Sequence, residues 1–271
     1  MHSYIEKTLM ELSNYFRTVY YSNDFSSRNG FIQSMNKGVS SFLIISFVVF
    51  SLFIHDFIFL LILLSLSIIL IILSKIPIIF YFRSLIFIPF FTFIISIPYI
   101  FYPFSPTPYL IRFPYLNTGI TIQGLYFTAI FLLRVTTAVS FIILLTYGVG
   151  FQNFIKSLKL VRFPDIFLNI LSFTYRYIFL IATQVYDILL SRKSKMCNEK
   201  IKVGKKWQSN LLGHIFFKSQ VIGENIYFSM ISKGYTGENI KNNAKFKLSY
   251  FDFLFITIFL VLIIYKFYFR W

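Results

Sequence analysis

The chain has 271 residues, of which 57% are hydrophobic and 13% are charged, and its formal net charge is +16. A water-soluble domain of this length cannot cover that much apolar surface, so the composition excludes an ordinary soluble protein and indicates lipid as the solvent for much of the chain. The single cysteine excludes an internal disulfide and a thiolate metal cluster.

Residues 1–38 are polar and are predicted to form an N-terminal interfacial segment. Ile5, Leu9, Leu12 and Phe16 recur there every three or four residues, which is the spacing of an amphipathic helix lying on a membrane. Because the first long apolar run begins only after this segment, a cleaved signal peptide is not expected.

Residues 39–149 are predicted to hold four transmembrane helices, and residues 249–271 a C-terminal one. A span needs about 20 apolar residues, and the first two runs are separated only by a tight connection at His55-Asp56. The four runs are Val39–Ile54, Phe57–Ser74, Ser84–Tyr102 and Gly124–Val149. The predicted fold class is therefore an all-α polytopic membrane protein with about five to six transmembrane helices.

Charge placement predicts the orientation in the cell membrane. If the spans alternate, the basic residues of segments 1–38 and 150–248 and of the short loop Lys75–Arg83 all lie on one side, which the positive-inside rule makes cytoplasmic. The N-terminus is then cytoplasmic, and the Pro-rich loop Pro103–Thr121 lies outside. The net charge favours attraction to membrane lipid, and no nucleic-acid motif accompanies it.

Residues 150–248 are predicted to form two long cytoplasmic helices. Neither Pro nor Gly interrupts Ile166–Met196, a helix of about 45 Å whose first part, near 166–185, is apolar enough for a partial span. After a polar linker, Asn198–Gln208, a second helix is predicted over about Leu211–Ser232. Gly234 follows at the position of a helix C-cap glycine.

One face of the second helix is predicted to pack against another helix. Ser219 and Gly223 are the small residues of this face, and they allow close approach of a helix in a membrane environment. Helical spacing places them with Leu212, Ile215, Phe216, Ile226 and Met230.

Both helices are predicted to end in a Ser-Lys pair. We call Ser194-Lys195-Met196 the first Ser-Lys end and Ser232-Lys233-Gly234 the second, and we predict that both bind a partner. The alternative interpretation is local, because lysine at a helix C-terminus is favoured by the helix dipole and a basic helix near a membrane can simply meet lipid.

Motifs for catalysis or metal binding are missing from the sequence. There is no GxxxxGK, GxSxG or HExxH pattern and no pair of carboxylates at catalytic spacing. His2, His55 and His214 are far apart and have no acidic neighbours at ligand spacing. We therefore expect no catalytic residues, no metal site and no enzymatic activity in this chain.

The segment of about residues 125–240 resembles the transmembrane T component of energy-coupling factor (ECF) transporters, in its cobalt/nickel CbiQ-like branch. The resemblance rests on ENIYFSMISKGYTGE around the second Ser-Lys end, YRYIF at Tyr175–Phe179, LLGHIFFKS at Leu211–Ser219, and Arg134 in LLRVTTAVS. The family carries Ala-Arg-Gly-type motifs at the two ends. Here lysine replaces arginine at Lys195 and Lys233, and Met196 stands in place of glycine.

The resemblance implies a scaffold subunit of an ABC importer. Two cytoplasmic ABC ATPase subunits would bind the two ends, and a separate membrane S component would bind the substrate, which is cobalt or nickel in this branch. ATP would be bound by the partners, so no cofactor is expected in this chain. Alternatives are the same scaffold for vitamin uptake, a lipid-modifying membrane enzyme, and a polytopic anchor with a basic lipid-binding face.

Overall fold

The computed structural model describes residues 4–28, 30–101, 109–113, 118–161, 163–195, 205–235 and 250–268. Within these ranges the helices are α1 (Tyr4–Ser27), α2 (Phe31–Ser34), α3 (Lys37–Leu52), α4 (Phe57–Leu73), α5 (Ile78–Leu85), α6 (Phe87–Phe101), α7 (Ile122–Leu144), α8 (Phe151–Ser157), α9 (Asp165–Ser194), α10 (Lys205–Ser232) and α11 (Tyr250–Tyr268). A π-helical turn, Leu145–Val149, continues α7, and a 3₁₀ turn, Leu158–Val161, follows α8.

The predicted all-α membrane fold is confirmed, with one small addition. Two short strands, β1 (Tyr109–Phe113) and β2 (Thr118–Thr121), pair antiparallel between α6 and α7, in a segment predicted as a Pro-rich loop. Both strands are rich in Tyr, Ile, Thr and Phe, which favour extended backbone. Because prolines are typical of loops, the sequence of that segment does not predict the two strands.

The described residues form two compact units. Unit 1 comprises residues 1–21 and 158–245, and unit 2 comprises residues 22–157 and 246–271. Of the predicted N-terminal segment 1–38, residues 1–21 therefore group with the segment that contains α9 and α10, and residues 22–38 belong to unit 2.

Among the residues that the structure describes, three helical stretches are long and apolar enough to cross a membrane. They are Ile78–Phe101, Ile122–Val149 and Asp165–Ser194, and the shorter apolar helices Lys37–Leu52 and Phe57–Leu73 accompany them. The last stretch is α9, so both of its predicted roles, span and surface helix, remain compatible with its composition.

Two sequence-based boundaries are wrong. The sequence predicts a loop at Arg83, but this residue lies in α5, because the helix begins directly after Pro77. Proline suits the start of a helix, and the following apolar residues continue it. The sequence predicts a polar linker at Lys205–Gln208, but α10 begins at Lys205, because Trp207 gives this lysine-rich stretch an aromatic residue that packs.

Unit 2 is built on the packing of α3, α4 and α7. Phe47 of α3 and Phe141 of α7 are fully buried and stack with ring centroids 5.1 Å apart. The Tyr81 hydroxyl of α5 lies 2.8 Å from the Ser140 hydroxyl of α7. Large apolar residues exposed around this core are what a lipid solvent permits.

The backbone between α3 and α4 is held by an arginine from the middle of a span. Nη2 of Arg134 in α7 donates to the carbonyl oxygen of Ile54 at 2.7 Å. This carbonyl lies two residues past the last residue of α3, beyond the C-cap Phe53. A charged donor is a strong way to satisfy it where water is scarce.

Helix α11 is fixed to α3 near both of its ends. Asp252 is fully buried and its carboxylate accepts the backbone N–H of Asn36 at 3.1 Å, at the start of α3. Lys266 pairs with Asp56 beyond the other end of α3. Between these charges, Phe259 packs edge-on against Phe47 with centroids 4.8 Å apart. The two helices therefore run in the same direction.

Replacing Asp252 by Ala is expected to lower the free energy of unfolding by about 1–3 kcal/mol, because the amide of Asn36 loses this charged acceptor. Thermal unfolding of the detergent-solubilised chain, followed by circular dichroism, measures the change. Asp252→Asn is the matched control, since its amide oxygen still accepts, and it should lose less. An alanine variant as stable as the unmodified chain would contradict the role of Asp252.

Candidate partner-docking site

The first Ser-Lys end terminates α9, which runs without interruption over 30 residues. The Ser194 hydroxyl donates to the carbonyl of Leu190 at 3.1 Å, and Lys195 is the C-cap residue. The N–H of Lys195 donates to the carbonyls of Ser191 and Arg192. Ser194 and Lys195 are exposed, and Met196 lies outside the described residues.

Three basic residues at this end have different surroundings. The guanidinium of Arg192 lies over the ring of Trp207, 5.0 Å from its centroid. Lys193 forms an ion pair with Glu6 of α1 at 2.7 Å. Lys195 points to solvent, and no residue of the described ranges pairs with it. Of these three basic residues, Lys195 is the one that is exposed and without a partner among the described residues.

The second Ser-Lys end is a Schellman motif. The N–H of Gly234 donates to the carbonyl of Ile231 at 2.8 Å, and the N–H of Tyr235 donates to that of Met230 at 3.0 Å. These two bonds satisfy carbonyls left over at the helix end. Gly234 has φ +78°, a conformation that glycine adopts without strain. The predicted C-cap role of Gly234 is thus observed.

Lys233 lies between the last helical residue and this glycine. The Ser232 hydroxyl bonds back to the carbonyl of Phe228 at 2.8 Å, so it is occupied within the helix. Lys233 is exposed and has no ion-pair partner among the residues with a described position. As at the first end, lysine supplies an accessible positive charge while serine completes the helix.

The two helices run in opposite directions. Trp207, in the first turn of α10, contacts Arg192 near the end of α9. Tyr235, just past α10, contacts Asn169 and Phe173 in the first half of α9. The two Ser-Lys ends therefore lie at opposite ends of the pair, separated by about the length of α10, which is about 42 Å for its 28 residues.

The half-buried face of α10 in the structure includes only part of the face that the sequence predicts to pack. From residue 215 onward the half-buried residues are Ile215, Ser219, Ile222, Ile226 and Met230, whereas Leu212, Phe216 and Gly223 are exposed. A Cβ built at Gly223 would meet no atom within 4 Å in the described structure. Ser219 thus lies on the half-buried face, and no described helix lies against Gly223. Close packing at these two residues stays a prediction.

Helix α1 is a part of this site that sequence reasoning missed. Leu9 of α1 and Leu189 of α9 are both buried and form one apolar cluster. Beside them an open groove of about 480 Å³ is lined by Glu6, Leu9, Met10, Ser13, Asn14, Tyr186, Leu190 and Lys193. The helical spacing of Leu9 and Leu12 predicts an apolar face on α1, but it does not identify α9 as the helix that this face contacts.

Within the described ranges, no three His, Cys, Asp or Glu side chains come together in a way that could hold a metal ion. What these residues offer is exposed positive charge at two helix ends, with apolar surface beside it.

Comparison with known proteins identifies the family. A family model described as CbiQ, cobalt transport protein, matches residues 29–246. The chain belongs to this family. The match includes both Ser-Lys ends and stops before α11. This CbiQ-family chain is therefore a membrane-integral member of a cobalt-transport family.

A curated relative adds no further activity. The CbiQ-family chain is 34% identical over 124 residues to an uncharacterized protein of Methanocaldococcus jannaschii. The match covers 45% of this chain and 42% of the relative, so it spans less than half of that relative's length.

Replacing Gly234 by Ala is expected to destabilise the end of α10 by about 1–2 kcal/mol, because a side chain is strained at this positive φ. Hydrogen exchange of the amides of residues 233–235 measures the local effect. Gly223→Ala is the control, since this mid-helix glycine has open space around it and alanine should stabilise the helix by about 0.5–1 kcal/mol. Equal exchange rates for Gly234→Ala and the unmodified chain would refute the role of the motif.

Proposed function

We propose that this chain is the transmembrane scaffold of an ECF-type importer and that its two Ser-Lys ends dock two ABC ATPase subunits. The observation that carries the proposal is the presence of two exposed lysines, Lys195 and Lys233, at opposite ends of one helix pair. A separation of about 40 Å gives room for one ATPase subunit at each end.

The charges of these ends suit acidic grooves on the partners. Each lysine follows the last turn of a helix and projects a compact positive charge into solvent. Carboxylates, or carbonyls at the C-terminus of a partner helix, are its natural acceptors. ATP would be bound by the partner subunits, and this chain would carry no cofactor of its own.

The family description supports the proposed substrate. Its description as cobalt transport favours cobalt, with nickel as the related ion, and the substrate would be held by a separate membrane S component. The role of this chain is then to pass movement of the ATPase pair to that component. The chain would lie in the cell membrane with its N-terminus in the cytoplasm.

Replacing Lys195 and Lys233 together by Glu is expected to abolish co-purification of the ATPase subunits, while membrane insertion persists. Reversing both charges turns attraction to acidic grooves into repulsion of several kcal/mol. The measurement is ATP hydrolysis and identification of nucleotide-binding subunits in the affinity-purified complex.

The control for this experiment is Lys218→Glu, which changes an exposed lysine in the middle of α10. It should leave co-purification intact. The charge-conserving variants Lys195→Arg and Lys233→Arg should keep or strengthen binding of the ATPase subunits, because arginine adds a planar five-donor fork. Unchanged co-purification of the double Glu variant would rule out docking at these ends.

The proposal also requires both ends on the same side of the membrane. The helix pair is longer than the hydrocarbon core of about 30 Å, so its ends would emerge on opposite sides if it crossed the bilayer. We expect Ser194→Cys and Ser232→Cys, each made in a Cys197→Ser background, to react with an impermeant maleimide from the cytoplasmic face. Labelling from opposite faces would show that α9 is a span and that two cytoplasmic partners cannot bind both ends.

A further inference from the structure

Each Ser-Lys end is braced by an aromatic residue that joins α9 to α10. At the first end this residue is Trp207, which packs against the buried cluster of Leu9 and Leu189 and lies under the guanidinium of Arg192, 5.0 Å from the ring centroid. Leu189 and Arg192 lie six and three residues before Lys195. The last two turns of α9 are thereby held to the first turn of α10.

At the second end the residue is Tyr235. Its ring meets the ring of Phe173 edge-on, with centroids 6.3 Å apart, and its hydroxyl accepts from the side-chain amide of Asn169 at 3.4 Å. Its backbone N–H closes the Schellman motif. Tyr235 therefore connects the backbone of the second Ser-Lys end directly to the first half of α9.

The two contacts have the same arrangement. Each lies within one or two helical turns of an exposed lysine, and each reaches across to the opposite helix. Neither Trp207 nor Tyr235 carries the charge that a partner would bind. Aromatic contacts of this kind contribute by shape and by cation–π attraction, and they restrict the angle at which two helices meet.

We propose that Trp207 and Tyr235 are positioning residues that fix the distance between the two Ser-Lys ends. This inference rests on the proposed function. With both contacts in place, a displacement at one end is transmitted along the pair to the other end. Without one contact, each end still binds its ATPase subunit, but the two ends move independently and ATP hydrolysis is no longer coupled to transport.

The first test measures the distance between the ends in the full chain. Spin labels are placed at Ser194→Cys and Ser232→Cys in a Cys197→Ser background, and the purified protein is examined by pulsed electron paramagnetic resonance in nanodiscs. We expect one narrow distribution centred at about 40 Å, as the helix length requires. Trp207→Ala and Tyr235→Ala should each broaden or split it.

The control is Tyr227→Ala, which removes an exposed aromatic residue of α10 that has a ring contact with Phe228 on its own helix. It should leave the distribution unchanged. Trp207→Phe and Tyr235→Phe keep a ring and should restore most of the narrow distribution, which a global folding defect would not allow. Unchanged distances in both alanine variants would overturn the inference.

The second test compares docking with transport. In the alanine variants, co-purification of the ATPase subunits should stay within about twofold, while cobalt uptake per ATP hydrolysed falls about two- to thirtyfold, the range over which single residues affect coupling. Loss of co-purification in these variants would make Trp207 and Tyr235 binding residues and overturn the inference.

The two proposals fail in different ways. If the charge-reversed lysine variant keeps its partners, the docking proposal fails, whereas the distance measurement on the chain alone still reports whether the aromatic contacts fix the ends. If the distances are unaffected and the lysine variant loses its partners, docking stands and the positioning role fails.

Discussion

A chain in lipid must satisfy its backbone N–H and C=O groups inside its own structure. This constraint makes the helix ends the places where polar side chains are needed as hydrogen-bond partners. The interior of each helix is closed by its own hydrogen bonds, but the ends are not. In unit 2 Arg134 donates to the carbonyl of Ile54, just past α3, and the buried carboxylate of Asp252 accepts the N–H of Asn36, the N-cap residue of α3. Charged side chains inside this apolar unit thus bind backbone groups next to the ends of a neighbouring helix.

The same constraint explains why Ser-Lys pairs follow helices. A third pair, Ser74-Lys75, ends α4, and Lys75 adopts φ +53°, the left-handed conformation that Gly234 adopts after α10. There the N–H groups of Lys75 and Ile76 complete a Schellman motif on Ile72 and Ile71. A Ser-Lys pair is therefore first a way to end a helix. What distinguishes Lys195 and Lys233 is that they end the two long helices of unit 1, at opposite ends of one pair.

The sequence predicts the helices well because their signals are local. Apolar runs, the break at Pro164 and the glycine at 234 correspond to the observed elements within a few residues. Parts of α5 and α10 are not predicted, because lysine and arginine suggest loops there. In the structure, the neighbouring aromatic and apolar residues continue the helix. The half-buried face of α10 differs from the predicted one, because helical periodicity gives the angles between residues around the helix but does not identify the helix that packs against them. The Glu6–Lys193 pair joins residues 187 positions apart, a contact that no local pattern contains.

Near the first Ser-Lys end, arginine and lysine have different surroundings in the structure. Arginine is present near the first end, as Arg192, and its planar guanidinium lies on the indole of Trp207, a contact that a lysine ammonium makes less well. Lys193, one residue on, is held by Glu6. The exposed position at Lys195 requires neither stacking nor a bidentate partner within the chain, only an accessible charge. Arginine thus occurs where planarity holds two helices together, and lysine occurs where a compact charge faces solvent.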